Sequence, residues 1–232
     1  MRVLITGSRK GIGRFLAETF LQRGYVVFGC SRGESDLEHE FYHHYQCDVA
    51  DETSVIKLIR SVGKSHGGID ALINNAGIAS MNHILSTPAS TAKKLMDTNF
   101  IGTVLCCREV AKLMMRKKNN GKMINFSTVA SPLNLEGEAI YTSSKAAVQK
   151  FSQVAAKEFA PFGITVNCIG PTPIETDLIK AVPKNKIDLL LNSQAIKRLG
   201  TKDDVLNVID FFLSDKSDFI TGQTVYLGGV HD

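Results

Sequence analysis

The chain has 232 residues, 44% hydrophobic and 22% charged, enough to bury a sizeable core without staples, and it is read as one domain spanning 1–232. Its formal net charge of +4 is mild, and its basic residues are scattered apart from MRKKNNGK at 115–122, so it lacks the electrostatic footprint of a nucleic-acid binder while leaving room for an anionic small ligand. Five cysteines, Cys30, Cys47, Cys106, Cys107 and Cys168, lie in apolar stretches without C-x-x-C spacing and read as buried hydrophobes of a reducing compartment. The opening MRVLITG is too short for a signal sequence and no stretch nears the roughly 18 apolar residues of a membrane span, so a cytoplasmic protein free of membrane partners is expected.

The first predicted strand, RVLIT at 2–6, runs into TGSRKGIGRFLAETFLQRG, a glycine-rich turn opening a helix. Gly7, Gly11 and Gly13 permit positive φ and let backbone N–H groups, including that of Ile12, approach a pyrophosphate at the positive end of the helix dipole. The spacing G-x-x-x-G-x-G differs from the usual G-x-G-x-x-G, and a strand-to-helix turn needs glycine in any case, so the loop alone is a weak signal. The second strand, YVVFGC at 25–30, is followed by Ser31 and Arg32 with no carboxylate at its tip. An acidic residue there would hold a ribose 2′-OH, whereas a 2′-phosphate needs cations; Arg32 with Arg9 and Lys10 of the glycine loop supplies them, so NADP(H) is expected ahead of NAD(H). The plainer reading makes the three cations solvated loop residues.

Only about ten residues, SRGESDLEHE, separate this strand from the third, FYHHYQC at 41–47. That is near the minimum for a parallel crossover, so its helix is short or missing. His39, His43 and His44 there are read as wet crossover residues and not as metal ligands. Further strands are expected at DALIN 70–74, KMINFS 122–127, GITVNCI 163–169 and TVYLG 224–228, with long amphipathic helices around 89–117 and 139–161. The segment 171–200 carries three prolines and reads as a flap beside a site, and VIDFFL at 208–213 reads as the buried face of a late helix. Nearly continuous apolar strands alternating with helices give an α/β fold, a Rossmann-type doubly wound parallel sheet with helices on both faces and its site beyond the carboxyl ends of the strands.

Taken in order, these motifs resemble the short-chain dehydrogenase/reductase family along the whole chain. TGSRKGIG resembles its cofactor loop. CDV at 47–49 resembles the segment whose Asp48, with Val49, meets the adenine, and NNAG at 74–77 (Asn75, Ala76, Gly77) the end of its fourth strand. TNFIG at 98–102 resembles its Asn99 site, YTSSK at 141–145 its Y-x-x-x-K, and RLGTKDDV…FITGQTVYLGG its C-terminal signature. A lone Y-x-x-x-K arises readily by chance; six ordered motifs do not. The resemblance implies a carbonyl/alcohol oxidoreductase in which Tyr141 is the acid/base, Lys145 one helical turn on lowers the phenol's pKa and binds the nicotinamide ribose, and Asn99 holds a relay water. It also implies that Pro171, Ile174 and Thr176 cover the nicotinamide amide.

Two positions depart from the family. Its catalytic serine falls here on Thr128, a hydroxyl that still donates but brings an extra methyl; Ser127 and Ser131 are the alternatives. Thr172 stands where Pro-Gly is usual, so its backbone must suit a β-branched residue. The nearest subfamily resemblance is to 3-oxoacyl-[acyl-carrier-protein] reductases, although Phe162 replaces an arginine common there. The substrate is thus a small-molecule carbonyl or acyl thioester. MRKKNNGK reads either as a carrier-protein dock or as a solvated helix end. A homodimer or homotetramer through the two long helices is implied, although burial within one subunit also explains part of their apolar faces. A second functional reading is a nucleotide-binding regulatory or scaffold protein with little catalysis, motivated by Thr128 and Thr172.

Overall fold

The computed structural model describes residues 1–117, 120–174 and 184–231. Seven strands, β1 (Arg2–Thr6), β2 (Val26–Ser31), β3 (Tyr42–Gln46), β4 (Ala71–Asn74), β5 (Gly121–Phe126), β6 (Ile164–Gly170) and β7 (Thr224–Tyr226), pair in parallel in the order β3-β2-β1-β4-β5-β6-β7. Each lies within one or two residues of its expected place. Their apolar runs lack alternation because both faces are covered: Val3, Leu4 and Ile5 of β1 are all fully buried.

On one face α1 (Gly11–Gln22) and α8 (Lys202–Leu213) pack Leu16, Phe20, Val205, Ile209 and Phe212 against Ile5, Ile73 and Ile124. The other is covered by α2 (Glu52–His66), α4 (Gly102–Lys117) and α6 (Ala139–Phe159), whose Val55, Ile59, Val110, Met114 and Ala155 meet Leu4, Phe28, Leu72 and Val166. The shorter α3 (Ala89–Met96), α5 (Ala130–Leu133) and α7 (Lys184–Ser193) follow β4, β5 and β6 in the chain. No helix among the described residues is long and apolar enough to cross a membrane. All five cysteines are free and buried.

Because β2 and β4 flank β1 on opposite sides, the chain turns away in opposite directions beyond the carboxyl ends of β1 and β4, and a crevice opens there. The crossover from β2 to β3 contains no helix, as its length requires. Three local expectations need correction. His43 and His44 lie in β3, within the strand expected at 41–47, and are half-buried there instead of wet. Phe211 in VIDFFL points to solvent, while Ile209, Phe212 and Leu213 are buried. In MRKKNNGK, Lys122 belongs to β5, where its ammonium meets the Ser214 carbonyl and the Asp218 carboxylate, so it is no part of a solvated helix end; Lys118 and Asn119 lie outside the described residues.

Candidate active site

The glycine loop is shaped by close backbone approach. Gly7 and Gly11 have φ of +70° and +62°, and a Cβ on Gly13 would lie 2.4 Å from the Gly7 carbonyl oxygen, so larger residues are excluded. Asn75, just past β4, fastens the loop: its Nδ2 donates to the carbonyls of Thr6 at 3.0 Å and Gly7 at 3.2 Å. The Ala76 N–H donates to Thr6 Oγ1 at 3.0 Å. The first N–H groups of α2 and α8 are capped by Asp51 and Thr201, whereas Lys10 offers α1 no side-chain cap and its first turn holds no acid. Uncapped donors at a positive helix end suit a phosphate.

Around this loop lies a cavity of about 370 Å³ lined by Arg9, Lys10, Ser31, Arg32, Asp48 and Val49 among others. Asp48 braces its wall by accepting from the Ala50 N–H at 3.0 Å. A second cavity, also about 370 Å³, is lined by Thr128, Tyr141, Lys145, Pro171 and Ile174. Ile12, Asn75, Gly77 and Ile78 line both, so the two adjoin, and a long dinucleotide reaching from Arg32 to Tyr141 fits the pair. Thr176 lies outside the described residues.

Asn99 is fully buried within a π-helical turn, Asp97–Ile101, between α3 and α4. Such turns interrupt the i→i−4 ladder and frequently mark functional positions. Its side chain is fully engaged: Oδ1 accepts from the Ile78 N–H at 2.9 Å, while Nδ2 donates to the Ile78 carbonyl at 2.9 Å and to Ser144 Oγ at 3.0 Å. Its carbonyl accepts from Thr103 Oγ1 at 2.8 Å.

Tyr141 and Lys145 share one face of α6, as their spacing requires. The expected electrostatics between them are not met. Burial and the nearby Glu138 carboxylate push Tyr141 up to about 12, against the pull of a Thr128 hydrogen bond. The Lys145 ammonium instead donates to the Phe126 carbonyl at 2.8 Å, and burial brings it down to about 8. A Cβ on Gly77 would stand 3.3 Å from Asn99 Oδ1 and 3.4 Å from Lys145 Nζ, so these groups converge on bare backbone.

Of the serine alternatives, Ser127 accepts from Gln149 Nε2 at 2.6 Å, which ties it to α6. Ser131 Oγ is buried without a hydrogen-bond partner and is absent from the cavity wall. Thr172 avoids the left-handed region; its methyl and hydroxyl occupy space that Gly228 and Gly200 leave open. Sequence reasoning missed Ser144, Gln149 and Glu138. Ser144 stands inside YTSSK and joins Tyr141 O at 2.6 Å to Asn99. Gln149 and Glu138 lie at i+8 and i−3 from Tyr141, spacings that share its helix face.

Comparison with known proteins finds chains similar to this one over nearly its full length. A family model described as Enoyl-(Acyl carrier protein) reductase matches residues 7–231. The 3-oxoacyl-[acyl-carrier-protein] reductase FabG of Staphylococcus epidermidis is 32% identical over 97% of this chain and 96% of its own. Among solved structures, ElxO with NADP bound superposes with a TM-score of 0.89 at 32% identity, covering 98% of this chain and 97% of that one. The 4-hydroxyisoleucine dehydrogenase complexed with NADH gives 0.88 at 26% identity, covering 98% and 96%. With the sheet order, the glycine loop and the Tyr141/Lys145 face in place, these likenesses establish that the chain belongs to the short-chain dehydrogenase/reductase family of NAD(P)-dependent oxidoreductases.

Proposed function

We propose that the protein reduces a carbonyl to a secondary alcohol with NADPH, a 3-oxoacyl thioester being one candidate substrate. The observation that carries this reading is the pair of adjoining cavities, one lined by Arg9, Lys10 and Arg32, the other by Thr128, Tyr141 and Lys145. Three cations with no carboxylate at the tip of β2 favour a ribose bearing a 2′-phosphate. The relatives leave the choice open, since one neighbour holds NADP and another NADH.

The nicotinamide supplies the hydride when bound. Tyr141, protonated at neutral pH because burial and Glu138 raise it to about 12, donates its proton to the oxygen of the carbonyl. Thr128, in hydrogen-bonding contact with that phenol, donates to the same oxygen and orients it. Lys145 holds the nicotinamide ribose, and Asn99 holds the water that reloads the proton. Ile78, Met81, Val129, Leu135 and Leu190 give the substrate cavity a mostly apolar wall, which suits an acyl chain, while Glu138 and Lys186 add polar groups to its lining. Of the two residues that favoured a non-catalytic role, Thr172 avoids the left-handed region and has room over Gly200 and Gly228, and Thr128 lines the cavity beside Tyr141, so no specific observation favours that reading.

The test is oxidation of NADPH and NADH by purified protein against acetoacetyl thioesters, diketones, quinones and aldehydes. Tyr141→Phe is expected to lower turnover about 10²-fold or more with NADPH binding nearly intact. Turnover that survives this substitution would remove Tyr141 from the chemistry; cofactor binding without turnover on any substrate would return the regulatory reading.

A further inference from the structure

The proposed reaction gives β3 no part, yet β3 carries a hydrogen-bond chain that ends at the tip of β2. Tyr42 and His44 are two apart on β3, so their side chains share one face. Tyr42 Oη lies 3.0 Å from Ser8 Oγ, inside the glycine loop, and 3.0 Å from His44 Nδ1. His44 Nε2 lies 2.9 Å from the Gly33 carbonyl oxygen and 3.1 Å from Ser31 Oγ, which itself donates to Gly33 O at 2.6 Å. The chain passes over Gly29 of β2, where a Cβ would fall 2.2 Å from Tyr42 Oη and 2.4 Å from Ser8 Oγ.

Donor order follows from the one group that can only accept. Gly33 O is a carbonyl, so His44 Nε2 carries the proton; in neutral imidazole Nδ1 then accepts, Tyr42 donates to it, and Ser8 donates to Tyr42. Every bond points from the glycine loop toward residues 31–33. The same stretch is clasped from above, since a Cβ on Gly33 would lie 2.7 Å from Arg9 Nη1. The segment between β2 and β3 has no helix, and its sheet bonds hold only its ends, from Cys47 N–H to the Ser31 carbonyl and from Val27 N–H to the Phe41 carbonyl.

We propose that Tyr42 and His44 are positioning residues for the 2′-phosphate end of the cofactor: they lock Ser31–Gly33 to the glycine loop so that Arg9 and Arg32 present two guanidinium groups to one phosphate. This inference rests on the NADP(H) reading above. A loop left free would have to be ordered by the ligand itself, which weakens binding of the 2′-phosphate form selectively.

Calorimetric titration with adenosine 2′,5′-bisphosphate and 5′-AMP tests this without turnover. Wild-type protein is expected to prefer the bisphosphate. His44→Ala and Tyr42→Phe should each cut that preference about tenfold, the scale of one well-formed hydrogen bond, with the loss falling on the bisphosphate. His44→Gln, whose amide can still donate to Gly33 O, should recover most of it. Tyr42→Phe removes a single oxygen and keeps the test open should His44→Ala fail to fold. Equal losses on both probes, or no loss, in variants of a wild type that prefers the bisphosphate would overturn the positioning role and leave the cofactor reading standing. A wild type without that preference would overturn the cofactor reading and this inference with it.

Discussion

Lys145 is nearly buried, and its ammonium meets the Phe126 carbonyl. Desolvation disfavours its charge and brings it from 10.5 to about 8, so the cation prevails below that pH and is lost above it. If the cation holds the ribose and the relay, reductive kcat/KM, which reports the free enzyme, stays level at lower pH and falls as pH rises through about 8. Lys145→Arg, charged across the whole range, should erase that limb from whatever activity remains; an unchanged limb would assign it to another group. The sequence made Tyr141, Lys145, Asn99 and Thr128 legible as candidates because their motifs fall in order. It did not make the charge balance legible: i,i+4 spacing brings two side chains to one face but leaves open which acceptor an ammonium finds, and here that acceptor comes from β5. Ser144 and Gln149 were missed for the same reason, since their partners Asn99 and Ser127 lie far away in the chain.

At the scale of elements, the segment after β6 shows how a departure from the family is absorbed. Thr172 is buried, with its hydroxyl over Gly200 and its methyl over Gly228. A Cβ on Gly200 would lie 2.7 Å from Thr172 Oγ1 and 3.4 Å from Ile174 Cγ1, closer than packing tolerates. Gly200→Ala should therefore cost about 1–3 kcal/mol, but under about 1 kcal/mol when Thr172 is already glycine, a coupling readable from urea midpoints in a double-mutant cycle. Additive costs would mean that Thr172 and Gly200 do not share this space. The missing crossover helix was legible from loop length alone, because a chain of that length cannot do otherwise. The π-helical turn at Asp97–Ile101 was not, since its residues are compatible with an ordinary helix and only the meeting of Asn99 with Ile78 and Ser144 reveals its purpose.

For the molecule as a whole, the doubly wound sheet was readable from rhythm and glycine placement, but the faces of α4 and α6 were not divisible in advance between core and partner. Most of α4 is consumed within one subunit, where Leu105, Cys106, Val110, Leu113 and Met114 are buried. What remains outside includes Ile101 at 39% and Val154 at 48% exposure. Single exposed apolar residues are ordinary; these two lie on the elements that carry Asn99 and Tyr141, so a second copy seated there would brace the reaction centre from outside. If the homo-oligomer that the family resemblance implies forms through these faces, it has a consequence for rate as well as mass. Sedimentation equilibrium should give a multiple of 25.3 kDa, and Ile101→Glu with Val154→Glu, which place charge on already exposed positions, should shift the mass toward a single chain and lower kcat together. A wild type sedimenting as one chain would remove the oligomer, and a dissociated variant with full kcat would show that the π-helical turn and α6 hold the reaction centre without help.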